Sequence, residues 1–199
     1  KKTVPAQDLF FDLLKERAET GRIYIMNLDH CNSHSSFKDK VSMSNLCQEI
    51  TLPTTPIQDI HDDQGEIALC ILSAVNVGGL NDLSELENIC DLSVRALEQI
   101  IDYQDYPVKA AEVSTKKRRS LGIGYIGLAH YLAKNNVKYS DPKAWELVDR
   151  LTEAFQYNLL RASCNIAMEK GKCEGFERTK YADGLLPIDH YKKEVDEIV

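Results

Sequence analysis

The segment Glu66–Val75 constrains the fold more than any other. It reads Glu-Ile-Ala-Leu-Cys-Ile-Leu-Ser-Ala-Val, a nearly continuous apolar run that includes β-branched residues. A turn-rich stretch, Pro53–Gly65, precedes it, and Gly78-Gly79 and Asn81 break the chain after it. A run this short and this apolar predicts a strand buried on both faces, as in sheets covered by helices on each side. The chain supplies helices for that purpose. Leu86, Ile89, Cys90, Val94, Leu97 and Ile101 recur at helical spacing, behind a capping-box pattern at Ser84-Glu85-Leu86-Glu87. Leu9, Phe10, Leu13, Leu14 and Ala18 form the stripe of an earlier helix, from about Gln7 to Glu19, with Gly21 as its stop. Ser140-Asp141-Pro142 sets a cap and a first-turn proline before the longest helix, which runs to Lys170 and stops at Gly171.

Shorter elements lie between these. Arg22–Met26 and Leu121–Ile123 are predicted strands, Asp29–Ser36 a polar loop, and Asn45–Leu52 an extended segment ending at Pro53. A loop through Tyr103–Pro107 is followed by the basic run Lys116–Arg119, predicted to be a solvated turn. Helices are expected over Ile126–Lys134 and Ile188–Ile198. Strands alternating with helices, without repeats, indicate an α/β fold. With 199 residues, 43% of them apolar, the chain suffices for one ordinary domain. A helix close behind residue 1 and another ending at the last residue lead us to expect a single segment, 1–199, of something larger. The net charge of −7 argues against nucleic-acid or anionic-membrane binding. No apolar stretch is long enough to cross a bilayer, and no apolar signal region follows Lys-Lys-Thr-Val-Pro, so a cytoplasmic setting is expected.

Chemistry concentrates in Ser44-Asn45-Leu46-Cys47-Gln48-Glu49-Ile50. If this stretch is extended, Asn45, Cys47 and Glu49 share one face. An amide, a thiol and a carboxylate then converge, although any half-buried strand with a thiol and a solvated carboxylate would show the same spacing. Cys47 suits either a thiolate nucleophile or a sulfur radical sheltered from water against a C–H bond. Glu49, if buried, suits a proton acceptor. Cys70, in the apolar run, could face Cys47. Six scattered cysteines in a chain of this length, without a signal region, argue against a secreted disulfide scaffold, and the lack of a CxxC pair argues against a dithiol oxidoreductase. His30-Cys31-Asn32-Ser33-His34 raises zinc, but a matching distal pair is lacking, and ordinary loop chemistry is the better account. Gly122-Ile123-Gly124-Tyr125-Ile126-Gly127 matches GxGxxG, yet the basic run stands where a full strand should precede it. Downstream, Asp141 and Glu146 open a helix rather than close a second strand, so close strand–helix packing is the better account of these glycines.

Over essentially all 199 residues the chain resembles the large (α) subunit of class I aerobic ribonucleotide reductase, of the bacterial and phage type. The resemblance rests on Thr20-Gly21-Arg22-Ile23-Tyr24-Ile25, Asp29-His30-Cys31-Asn32, Ser44-Asn45-Leu46-Cys47, Gly65-Glu66-Ile67-Ala68-Leu69-Cys70, Leu72-Ser73-Ala74, Asp102-Tyr103-Gln104-Asp105-Tyr106-Pro107, Arg118-Arg119-Ser120-Leu121-Gly122-Ile123-Gly124 and Leu186-Pro187-Ile188-Asp189. It implies part of a ten-stranded α/β barrel with a central finger loop carrying Cys47. Cys47 would become the thiyl radical that takes the ribose 3′ hydrogen, Glu49 the base at the 3′ hydroxyl, and Asn45 the amide that holds the substrate. Cys70 would be one half of a redox pair, its partner lying earlier in the family's chain. Leu46 and Leu72 would line the ribose site. Gln48 stands where an aliphatic residue is expected.

The implied substrate is a ribonucleoside diphosphate. No cofactor is implied within this segment. The complete enzyme implies ATP and deoxynucleotide effectors, a small (β) subunit with a diiron-tyrosyl radical, thioredoxin or glutaredoxin as reductant, and the remaining α-subunit segments. The family's phosphate-binding loop, radical-relay tyrosines, C-terminal cysteine pair and ATP-sensing region have no counterpart here, so the segment is expected to be inactive alone. The alternative is a non-catalytic assembly module that docks to complementary segments.

Overall fold

A computed structural model describes residues 3–190. Two parallel strands, β1 (Ile71–Asn76) and β2 (Leu121–Ile126), pair in register from Ile71↔Leu121 to Asn76↔Ile126. Between them run α3 (Leu86–Tyr103) and α4 (Lys109–Arg118). After β2 come α5 (Leu128–Lys134) and the 29-residue α6 (Pro142–Lys170). Two helices, α1 (Ala6–Thr20) and α2 (Leu28–His34), precede the sheet. The fold is α/β, with a partial sheet.

The core lies on one side of the sheet. Val75, with Ile123 and Tyr125, packs against Leu86 and Cys90 of α3 and Leu151 and Phe155 of α6. Tyr125 meets Phe155 edge-on, with ring centroids 5.6 Å apart. Val94, Ala162 and Ile166 continue that contact over Leu121 and Ile123. Burial along β1 therefore alternates, and Leu72 on the other face is 60% exposed. The expectation of a strand buried on both faces is corrected: among the described residues, helices cover one face only. The strand is also shorter than predicted. Glu66 instead forms an isolated antiparallel bridge with Thr55, and Ile67 donates to the Ala110 carbonyl at 3.2 Å.

Capping explains the best-predicted helix ends. Asp141 accepts from the Lys143 N–H at 3.0 Å with Pro142 at the first turn, and α6 ends at Gly171 as expected. The cap before α3 lies two residues earlier than predicted. Asp82 accepts from the Ser84 N–H while Glu85 accepts from the Asp82 N–H, and a 3-10 turn over Leu83–Glu85 leads into the helix. α4 was not predicted, because its buried residues are Ala110, Ala111, Ser114, Thr115 and Arg118, which carry no apolar period. Arg22–Met26 is not a strand, since no neighbouring strand offers it a ladder. The helix expected over Ile188–Ile198 lies, beyond His190, outside the described residues.

Candidate active site

The chain is fastened before it reaches the cysteine loop. Asn32, on α2, clamps Val41 at two points: its amide donates to the Val41 carbonyl at 2.9 Å and its oxygen accepts the Val41 N–H at 2.8 Å. Val41 is fully buried. His30–His34 thus belongs to a short helix rather than a loop, and Asn32 works on backbone groups. Next to it, Phe37 bridges Thr179, with Lys38 N–H donating to the Arg178 carbonyl and Lys180 N–H to the Ser36 carbonyl.

Asp39 then enters an ionic cluster centred on Arg118, which is 7% exposed. Arg118 donates to Asp39 at 2.9 Å and to Glu66 at 2.6–2.7 Å, Lys117 reaches Glu66 at 2.5 Å, and Arg178 reaches Asp39. Burial raises the carboxyl pKa of Glu66 and of Asp39. The bonds and charges of Lys117 and Arg118 on Glu66, and of Arg118 and Arg178 on Asp39, outweigh that and leave both below the usual carboxylate value. The run Lys116–Arg119 is therefore not a solvated turn. Arg119 pairs with Glu98 and Asp102, and Lys116 with Glu112. One cluster ties the approach to Cys47, through Asp39, to the approach to Cys70, through Glu66.

From Met43 the chain forms a closed loop. Gln48 N–H donates to the Asn45 carbonyl at 3.1 Å, which places Leu46 and Cys47 at the centre of a turn. Gln48 itself has φ +63°, in the left-handed region. The extended backbone expected here is corrected, and strict alternation does not set the directions of Asn45, Cys47 and Glu49. The loop is held across its base: Asn45 Oδ1 accepts the Ile50 N–H at 3.0 Å, and the Ser44 hydroxyl donates to the Ile50 carbonyl at 2.6 Å. Leu46 is 78% exposed, and Cys47 and Glu49 are exposed.

Cys70 and Leu72 occupy another setting. Cys70 is half-buried at the entry to β1, and burial pushes its thiol pKa up. A Cβ on Gly122 would lie 2.8 Å from the Cys70 sulfur and 2.5 Å from Leu72 Cδ2, so any larger residue there must displace those side chains. At Gly127, which caps α5 with φ +81°, a Cβ would collide with Asn76 Oδ1 and stand 3.1 Å from Gly78 N. The GxGxxG run is thus a strand, β2, packed closely on β1 and ending in a helix cap. Leu72, Ala74, Gly124 and Ile126 make an open sheet face. Two shallow hollows, one along α4 at Lys109, Glu112 and Lys116 and one between α3 and α6 at Asp91 and Arg161, contain none of the predicted site residues. Sequence reasoning missed Ser44, Asp39, Glu66 and Arg118. Nothing in the sequence pointed to the ionic cluster, because Asp39 and Glu66 lie far from Arg118 along the chain.

Comparison with known proteins gives the family. The family model described as ribonucleotide reductase, barrel domain, matches residues 1–198. The ribonucleoside-diphosphate reductase subunit alpha of Buchnera aphidicola from Schizaphis graminum is 56% identical over the whole chain, which covers 26% of that relative. The reductase 1 subunit alpha of Escherichia coli K12 is 53% identical and that of phage T4 40%, with all of the chain and 26% of each relative covered. The chain spans about a quarter of the length of the curated relatives it matches. With a match of this extent to the barrel domain, the chain belongs to the ribonucleotide reductase family.

Proposed function

We propose that the chain is the catalytic-core portion of a ribonucleoside-diphosphate reductase α subunit and that residues 43–50 are its finger loop. The observation that carries this reading is identity of more than half the residues, along the whole chain, to proteins named as that subunit. Cys47 and Glu49 are exposed in this chain, so the shelter from water and the burial that their roles call for fall to the other α-subunit segments. The closure of the loop and the setting of Cys70 support the reading. Cys47 stands at the centre of a turn closed across its base, which suits a sulfur held against one C–H bond. Cys70 has a raised thiol pKa and so stays protonated at neutral pH, as a hydrogen and electron donor requires.

In the proposed reaction Cys47, as a sulfur radical, takes the 3′ hydrogen of a ribonucleoside diphosphate. Glu49 takes the 3′-hydroxyl proton, and the 2′ hydroxyl, protonated by one thiol of the Cys70 pair, leaves as water. The other thiol gives a hydrogen to C2′ as the pair closes to a disulfide and supplies two electrons. Glu49 returns its proton to the 3′ oxygen, and Cys47 returns the 3′ hydrogen. Asn45 holds the substrate, with Leu46 and Leu72 beside the ribose. The radical is assigned to a diiron-tyrosyl centre in a separate small subunit. ATP and deoxynucleotide effectors, thioredoxin or glutaredoxin, and the other α-subunit segments complete the proposed enzyme. A cytoplasmic setting is part of the proposal; no helix among the described residues is long and apolar enough to cross a membrane.

The test is Cys47→Ser in the complete α subunit, assayed with its small subunit. Reduction should vanish while nucleotide binding persists; turnover by the variant refutes the role. The alternative, an assembly module without chemistry, draws on the exposed stripe of α1, where Leu9, Phe10 and Phe11 have no cover. It predicts that C47S in this segment leaves the reduction rate unchanged.

A further inference from the structure

The bonds at the base of the cysteine loop assign a role to a residue that the reaction scheme does not use. Ser44 Oγ lies 2.6 Å from the Ile50 carbonyl and 3.2 Å from Asn45 Oδ1. One hydroxyl carries one proton, and the shorter contact takes it. Asn45 Oδ1 in turn accepts the Ile50 N–H at 3.0 Å. Both backbone groups of Ile50 are therefore held from the other end of the loop, one by Ser44 and one by Asn45. Gln48, bonded to the Asn45 carbonyl, lies inside this closure, and Glu49 sits between two pinned residues.

The closure also sets which way Asn45 faces. Its oxygen is engaged at Ile50, while its NH2 has no partner among the described residues. The group presented outward is a donor.

We propose that Ser44 is a positioning residue for the cysteine loop. Its hydroxyl latches the Ile50 carbonyl, fixes the turn that carries Cys47, and keeps the Asn45 oxygen inward, so that the Asn45 NH2 meets an acceptor oxygen of the nucleotide. This rests on the proposed reductase reading. Ser44 touches no reacting atom in this account; it acts through Cys47 and Asn45. A loop left unlatched samples other geometries, and small misplacements of a reacting group cost large factors in rate.

The experiment uses the complete α subunit with its small subunit and reductant, comparing Ser44→Ala, Ser44→Thr and Cys47→Ser. S44A should lower kcat about 10- to 100-fold, raise KM for the ribonucleoside diphosphate severalfold as the Asn45 donor loses its orientation, and leave Tm unchanged. S44T, which keeps the hydroxyl, should recover most of the loss. Hydrogen exchange by mass spectrometry should show faster exchange in the peptide containing Gln48 and Ile50 in S44A only. Wild-type kcat in S44A, with C47S inactive, overturns the latch and leaves the reductase reading standing. A loss of kcat that comes with a lower Tm and no rescue by S44T also overturns it, as a purely structural effect. Turnover by C47S overturns the reductase reading and the latch with it.

Discussion

At the residue scale, the site depends on two small side chains and one missing one. Ser44 and Asn45 close the cysteine loop, and Gly122 leaves the space that the Cys70 sulfur fills. Gly122→Ala forces the sulfur outward, because a Cβ would stand 2.8 Å from it. Less burial lowers the raised thiol pKa of Cys70 and increases its thiolate fraction at pH 8. Alkylation of Cys70 by iodoacetamide, followed by peptide mapping, should be faster in G122A than in the parent; an equal or slower rate contradicts this seat for the thiol. Asn45→Asp tests the polarity of the same loop. An aspartate keeps an oxygen for the Ile50 N–H but removes the outward donors, so KM for the nucleotide in the complete subunit should rise severalfold while exchange at the loop stays slow. The residues proposed to react were named in the sequence through the resemblance, and their geometry was not. Alternation predicts a common face only for extended backbone, and Gln48 at φ +63° breaks it.

At the element scale, α4 explains what the sequence concealed. Its buried face is made of two alanines, Ser114, Thr115 and Arg118. Hydrophobic periodicity cannot find such a helix, whereas α3 and α6 show theirs through apolar spacing and through Asp141-Pro142 and Gly171. Charge holds α4 in place. Arg118→Met leaves Glu66 and Asp39 buried without their shared partner and should cost about 3–5 kcal/mol, read as a lower denaturant midpoint. Replacing Arg118, Glu66 and Asp39 together by apolar residues should cost less, because the cations that lose a partner, Lys117 and Arg178, are more exposed than Arg118 and can turn to solvent. The pH dependence has a defined sign. Both carboxyls have folded pKa values below the ordinary 3.8 of Asp39 and 4.5 of Glu66. Their contribution is therefore complete above those values and is lost as pH falls through the lowered folded ones. The stability difference between the parent and a Glu66→Gln, Asp39→Asn double variant should be full at pH 7 and shrink below about pH 4; a difference that does not change with pH contradicts the assignment.

At the scale of the whole molecule, apolar surface stands open among the described residues on the α1 stripe, with Leu9 60% exposed, and on the sheet face at Leu72 and Ile126. Surfaces of this kind need partners. The isolated chain should self-associate in sedimentation runs, and complementary α-subunit segments should suppress that; a monodisperse monomer that ignores those segments contradicts the expectation. The α/β class was legible in the alternation of strands and helices. A strand covered on both faces was not confirmed, because that requires layers beyond the helices described. Family membership joins the scales: under the proposed function the closed loop at Cys47 and the thiol seated against Gly122 would serve one reaction. The most direct test is deoxynucleotide formation from a 3′-deuterated ribonucleoside diphosphate by the complete α subunit and its C47S variant. The account predicts slowed reduction by the parent, through breakage of the 3′ C–D bond at Cys47, and no product from C47S. Undiminished product from C47S would contradict it.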